Sequence, residues 1–167
     1  MIHGYNEIRR LISESTPNNF TITTLRVSDI SASTEKFFDN NFRGAIITDI
    51  SPDLYGYVDV SPDGIAYFFK VLLNEVFGDS VVRVFMQKSN NSFHIITRWR
   101  KCREISDATR EELGKTARFS GFDLVFSQNG EDSEATLTLK IKASKILSVY
   151  AISEFKMYSA YIRVFFL

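Results

Sequence analysis

The residues best placed to carry chemistry sit together on one predicted helix. Asn74 interrupts the apolar run YFFKVLLNEVFGDS, with Lys70 four positions earlier and Glu75 beside it. At about 100° per residue, Asn74 lies roughly 160° from the centre of the apolar stripe. Lys70 is its neighbour one turn back. Such a face meets either a ligand or solvent. Read from the residues alone, an exposed asparagine without a ligand is the simpler account.

A second cluster, RWRKCR, spans positions 98–103 and places four positive charges around one tryptophan. It could serve phosphate or an acidic partner. An aromatic among basic residues is also the pattern that stacks single-stranded nucleic acid. Arg98, Trp99, Arg100 and Lys101 are the interaction candidates, and a solvated strand end is the plainer reading. Cys102 lies among these charges, which lower a thiol pKa, but no catalytic triad is legible around it. His3 and His94 are the only histidines. With a single cysteine they make no recognisable zinc site. His94 falls on the strand face shared with Ile96 and Arg98.

Composition limits the partners. The chain has 167 residues, with 20 Lys and Arg against 20 Asp and Glu. A net charge of zero predicts neither a nucleic-acid nor a membrane-surface partner. One cysteine forbids an intrachain disulfide and fits a reducing, cytoplasmic setting. No apolar run reaches the roughly 20 residues of a membrane span. MIHGYNEIRR has no apolar signal-peptide core. The length suggests one domain with a small extension, and 15 Phe predict a bulky aromatic core.

The clearest element carries Asn74. Ser61 is a good N-cap and Pro62 suits the first helical position. Ile65, Phe68, Phe69, Leu72, Leu73 and Val76 recur at helical spacing, and Gly78 stands where a helix ends. The spacing predicts one helix from Ser61 to Phe77. VVRVFMQ and FHIITRW, separated by KSNNS, predict a β-hairpin. FDLVFS and ATLTLKIK, around an Asn-Gly signal, predict another. Asp107 to Ala117 is expected as a helix. Upstream, a short helix over 7–13, a strand in TITTLRVSDI ending at Asp29 and a short helix from Ser33 to Phe38 are expected. RGAIITDI and YVDV read as strands flanking the turn SPDLYG. The tail KILSVYAISEFKMYSAYIRVFFL reads as two further strands. Its apolar end needs cover, within its own sheet or against a second copy or partner. Together these elements predict an α+β two-layer sandwich, with a mostly antiparallel mixed sheet and helices on one face.

In this order the elements resemble the ATPase domain of histidine kinases, in the superfamily shared with gyrase, the Hsp90 chaperones and MutL. YVDVSPDGIAYFFKVLLNEV resembles the segment leading into the N box, VVRVFMQKSNNSFHIITRW the hairpin that follows, and FDLVFSQNGEDSEATLTLKIK the last two strands. TLRVSDISASTEKFFDNNFRGAIITDISPD resembles the start of the domain. The resemblance covers residues 21–142, with 1–20 as a helical lead-in and 143–167 as a C-terminal β extension.

The resemblance implies that Asn74 stands where the family holds Mg²⁺, with Lys70 and Glu75 as companions if nucleotide binding is retained. The departures are as informative. Lys70 occupies a position where the family often has a polar partner, and lysine cannot ligate Mg²⁺, though it can reach a phosphate. The second hairpin strand ends ITRWRKCRE, without the Asp-x-Gly box whose aspartate reads adenine. SGFDL offers one glycine, Gly121, where a glycine-rich phosphate cradle would need several. It aligns better with the start of the next strand, so lid and box are largely deleted.

The resulting expectation is a degenerate, non-catalytic domain that binds no cofactor. It would act as a docking or scaffold module in phosphorelay signalling, or as part of a histidine phosphotransferase. Its partner would be a response regulator or a kinase-like protein, with a homodimer as a further possibility. His3 has no helical hairpin before Thr21 to present it as a phosphoacceptor. The alternative is a kinase-like domain, a sensor-kinase fragment or an anti-sigma-type kinase, that still binds ATP and Mg²⁺ weakly through Asn74, Lys70 and Glu75.

Overall fold

The computed structural model describes residues 20–100 and 104–143. The helix expected over 7–13, His3, Lys101, Cys102 and the two strands expected in the tail lie outside the described residues.

The chain runs β1 (Thr23–Arg26), α1 (Val27–Asn41), β2 (Ile46–Ile50), β3 (Tyr57–Val60), α2 (Pro62–Leu72), β4 (Val82–Ser89), β5 (Ser92–Arg100), α3 (Asp107–Ser120), β6 (Asp123–Asn129) and β7 (Asp132–Lys140). Five strands form one sheet in the order β2-β4-β5-β7-β6, and β1 pairs with β3 in a small antiparallel sheet of its own. The large sheet is mixed, because β2 runs parallel to β4 while its other pairings are antiparallel.

Alternation decides which face is buried. Along β5, Phe93, Ile95, Thr97 and Trp99 point into the core, while Ser92, Ile96 and Arg98 point away. Val82, Val84 and Met86 of β4 and Ala135, Leu137 and Leu139 of β7 join the same buried face. Against it pack Ile65, Phe68, Phe69, Leu72, Val76 and Phe77 from the α2 segment, Leu113 and Ala117 from α3, and Phe38 from α1. The molecule is therefore the expected α+β sandwich, with helices on one face of a mostly antiparallel sheet. The aromatic core is continuous: the Phe38 ring lies 4.9 Å from Phe69, and Phe68 lies 5.2 Å from Phe69, both edge to face.

Three boundaries differ from the sequence expectation. The strand predicted to reach Asp29 ends at Arg26, and the helix predicted from Ser33 to Phe38 runs from Val27 to Asn41. Its N-cap, Arg26, offers no capping side chain, so nothing in the sequence marks the start. Small polar residues, Ser31 and Thr34, fill part of its buried stripe and hide the periodicity. The third helix continues past Ala117 to Ser120, where Gly121 ends it in the left-handed conformation (φ 84°). Gly121 is thus a helix cap leading into β6, as the alignment with the next strand required. A Cβ there would lie 2.8 Å from the Asp59 carbonyl oxygen.

Candidate functional site

Ser61 caps α2 by accepting from the Gly64 N–H at 3.2 Å, and Pro62 opens it. The segment does not continue as one α-helix to Phe77. From Leu73 it widens into a π-helical turn, Leu73–Phe77, which contains both Asn74 and Glu75. Single π turns recur at functional positions of helices. The extra residue shifts the side-chain stagger, so Asn74 and Glu75 face different surroundings.

Lys70 and Asn74 are both exposed, one turn apart, as their spacing predicts. Glu75 is half-buried and turned towards α3, where its carboxylate accepts from the Thr109 hydroxyl at 2.8 Å. Thr109 lies in the first turn of α3, next to Ser106, which caps that helix by accepting from the Thr109 N–H at 3.1 Å. One and two turns away, the Tyr67 hydroxyl donates to Glu112. Burial and the Glu112 carboxylate beside it push the Tyr67 phenol well above its usual range. Four polar side chains, Tyr67 from α2 and Glu75 from its π turn with Thr109 and Glu112 from α3, therefore bridge the two segments. Sequence reasoning found only Glu75 among them. The recoverable signal was the spacing Tyr67, Val71, Glu75, which puts residues on one face at i, i+4 and i+8.

The basic cluster is divided by the strand. Arg98 and Arg100 lie on the open face of the sheet. Arg98 Nε meets Glu134 Oε2 at 2.5 Å, and Arg100 bonds Glu131. The Glu131 carboxyl is held below its usual range by that guanidinium. Trp99 points the other way and is 2% exposed, its ring 5.1 Å from Phe77 at the end of the π turn. It shares no surface with the two arginines. Its indole Nε1 is buried and, among the described residues, has no hydrogen-bond partner. His94, also on the open face, lies 3.1 Å from the Thr138 hydroxyl. Among the described residues, no group of three or more His, Cys, Asp or Glu side chains gathers where it could hold a metal ion. No described helix is long and apolar enough to cross a membrane.

No family model matches the sequence, and no curated protein matches it. Solved structures do. Histidine kinase ThkA in complex with response regulator protein TrrA aligns with a TM-score of 0.61 over 86% of this chain and 50% of that one, at 8% identity. Histidine kinase AdeS of Acinetobacter baumannii aligns at 0.54 over 85% of this chain and 77% of its own, at 5% identity. The catalytic domain of ThkA alone aligns at 0.53 over 72% of this chain and 95% of that domain, at 7% identity. The fold is the histidine-kinase ATPase-like fold. The segment expected to resemble the N box is α2 with its π turn, and the hairpin expected after it is β4 with β5. Trp99 closes the strand end at which the resemblance looks for an adenine-reading aspartate.

Proposed function

We propose that this domain is a docking module of phosphorelay signalling that has kept the kinase sandwich and lost nucleotide chemistry. The observation that carries this reading is Trp99. At the end of β5, where the resemblance would place an adenine-reading carboxylate, a buried indole packs on Phe77 instead. An indole there offers no acceptor for an exocyclic amine and takes the space of a flat base. The remaining side chains do not fit Mg²⁺-nucleotide either. Lys70 cannot ligate a cation. The Glu75 carboxylate, the one anionic ligand beside Asn74, is held by Thr109. Asn74 alone is a neutral single donor, whereas Mg²⁺ is usually held by one or two carboxylates together with substrate phosphates.

The kind of partner follows by analogy with the fold. A neighbour of this fold, ThkA, was solved in complex with a response regulator. A response regulator or kinase-like protein is the partner proposed here, in the cytoplasm where such relays operate. The second reading, a domain that binds ATP weakly, is favoured by the exposure of Lys70 and Asn74 one turn apart. Isothermal titration with Mg-ATP separates the two. The docking reading expects no saturable heat. A micromolar dissociation constant that is lost in Asn74→Ala overturns it and establishes the second.

A further inference from the structure

Among the described residues, the helices cover one face of the five-stranded sheet and leave the other open. Register places a row across that open face that is uncharged from β4 to β6, Phe85 on β4, Ile96 on β5, Thr136 on β7 and Val125 on β6, and that ends on β2 in the exposed Asp49. Val125 is 60% exposed, and Ile47, on β2 beside Arg83, is 51% exposed. The next row reads Arg83, Arg98, Glu134, Ser127 in the same strand order. Basic residues thus occupy β4 and β5, and the acidic residue occupies β7.

We propose that this open face is a homodimer interface, two sheets packed face to face about a two-fold axis running along β5. The strand order decides the geometry. β5 is the middle strand, so a rotation about its direction lays β4 over the partner's β7 and β2 over the partner's β6. Arg83 then opposes the partner's Glu134, and Ile96 meets the partner's Ile96 on the axis. The central parts of the rows, Phe85, Ile96 and Thr136, stack on each other, and Asp49 lies over the partner's Val125 at the rim. Arg98 falls near the axis, but its charge is already balanced by Glu134 in its own chain, and its guanidinium lies 5.1 Å from the Phe85 ring centre. Glu134 would then stand between Arg98 of its own chain and the partner's Arg83, one carboxylate shared by two guanidiniums across the interface.

The area is sufficient. Five strands about 4.8 Å apart, the longest of them 9 residues and the shortest 5, offer at most about 20 Å by 30 Å, or about 600 Å² in projection. A corrugated face has more accessible surface than its projection. A standard stable interface takes about 800 Å² from each partner. Aligned sheets about 10 Å apart are an ordinary packing.

The test uses the full chain and reads mass by light scattering and sedimentation from about 1 to 500 µM, the range of a weak to moderate dimer. A concentration-dependent dimer is expected. Ile96→Glu, with its fold checked by circular dichroism, should raise the dissociation constant at least about tenfold, as for a central interface residue. Arg83→Glu, which opposes the partner's Glu134 with a like charge, should weaken it by a smaller factor. A photo-crosslinking p-benzoylphenylalanine at Ile96 should join two chains through β4, β5 or β7. A monomer at every concentration overturns the proposal, as does a dimer that survives both substitutions. A cross-link to 143–167 of the same chain also overturns it, because that segment and not a second copy would then be the cover.

Discussion

Tyr67 shows how one side chain can link two helices. Its hydroxyl donates to Glu112 across the gap between α2 and α3, and burial with that carboxylate raises its pKa. The folded state therefore holds the phenolic proton more tightly than the unfolded chain does. Its contribution is fully present below the ordinary phenol value near 10 and fades as pH rises above it. Melting temperatures of the parent chain and Tyr67→Phe, measured from pH 7 to pH 11, should converge at the alkaline end as the parent loses stability faster. Parallel curves would show that the phenol does not titrate with folding. At this scale the sequence was informative about Asn74 and Lys70, whose exposure follows from helical spacing alone. It misplaced Trp99, expected among the surface interaction candidates and buried instead. The alternation of FHIITRW assigns Trp99 to one face but does not say that Phe77 waits there. That contact joins residues far apart in the chain, and no local pattern encodes it.

At the level of elements, what could be read was what carries its own punctuation. Ser61-Pro62 marks the start of α2, and Ser106 caps α3 at Thr109 in the same way. Both hairpins were legible from alternation with polar turns. The first closes on Asn90, whose φ of 52° suits an asparagine in a tight turn, and the second closes on Gly130 (φ 64°). The first helix was half missed because it has neither a cap nor a continuous apolar stripe. The π turn was missed because a helical repeat predicts no change of pitch, and the order β2-β4-β5-β7-β6 is set by packing that no single segment records. How α2 meets α3 rests on one glycine. A Cβ on Gly64 would stand 1.8 Å from Ser120 Oγ and 2.4 Å from Ser120 Cβ, while the Ser61 N–H donates to the Ser120 carbonyl at 2.9 Å. Alanine is favoured over glycine within a helix by about 1 kcal/mol. Overpacking costs about 1–3 kcal/mol, so the clash should win and Gly64→Ala should destabilise. Ser120→Gly removes both clashing atoms. In a denaturant-based double-mutant cycle, the Gly64→Ala penalty should shrink or reverse in that background. Strict additivity would mean that the helices do not meet at this point.

Over the whole molecule, the small β1–β3 sheet joins the large one, among the described residues, through few polar contacts beside the core packing of Val58 and Val60. The Lys142 N–H donates to the Tyr57 carbonyl at 2.8 Å, Val58 bridges Ile141, and Lys142 Nζ lies 2.9 Å from Asp59 Oδ2. The Thr24 hydroxyl donates to the same carboxylate at 2.5 Å, so Asp59 ties β1, β3 and the end of β7 together. In contrast, β5 is paired on both edges and buried on one face. Opening free energies should therefore differ between the two sheets. Hydrogen exchange at neutral pH should show β5 protected longest and β1–β3 released first. Acid should widen the difference. The hydrogen bond from Lys142, then that from Thr24, lowers the Asp59 pKa. Its contribution is present above the ordinary carboxylate range near 4 and is lost as pH falls through the depressed folded value. The effect is small, because exposed ion pairs are screened by solvent, but it is local. Asp59→Asn should lower protection in β1 and β3 at neutral pH and remove their acid sensitivity, while β5 keeps its protection. If β1 and β3 exchange at the same rate in both chains, Asp59 does not hold the small sheet, and the backbone bonds at Lys142 and Val58 together with the buried Val58 and Val60 carry the attachment.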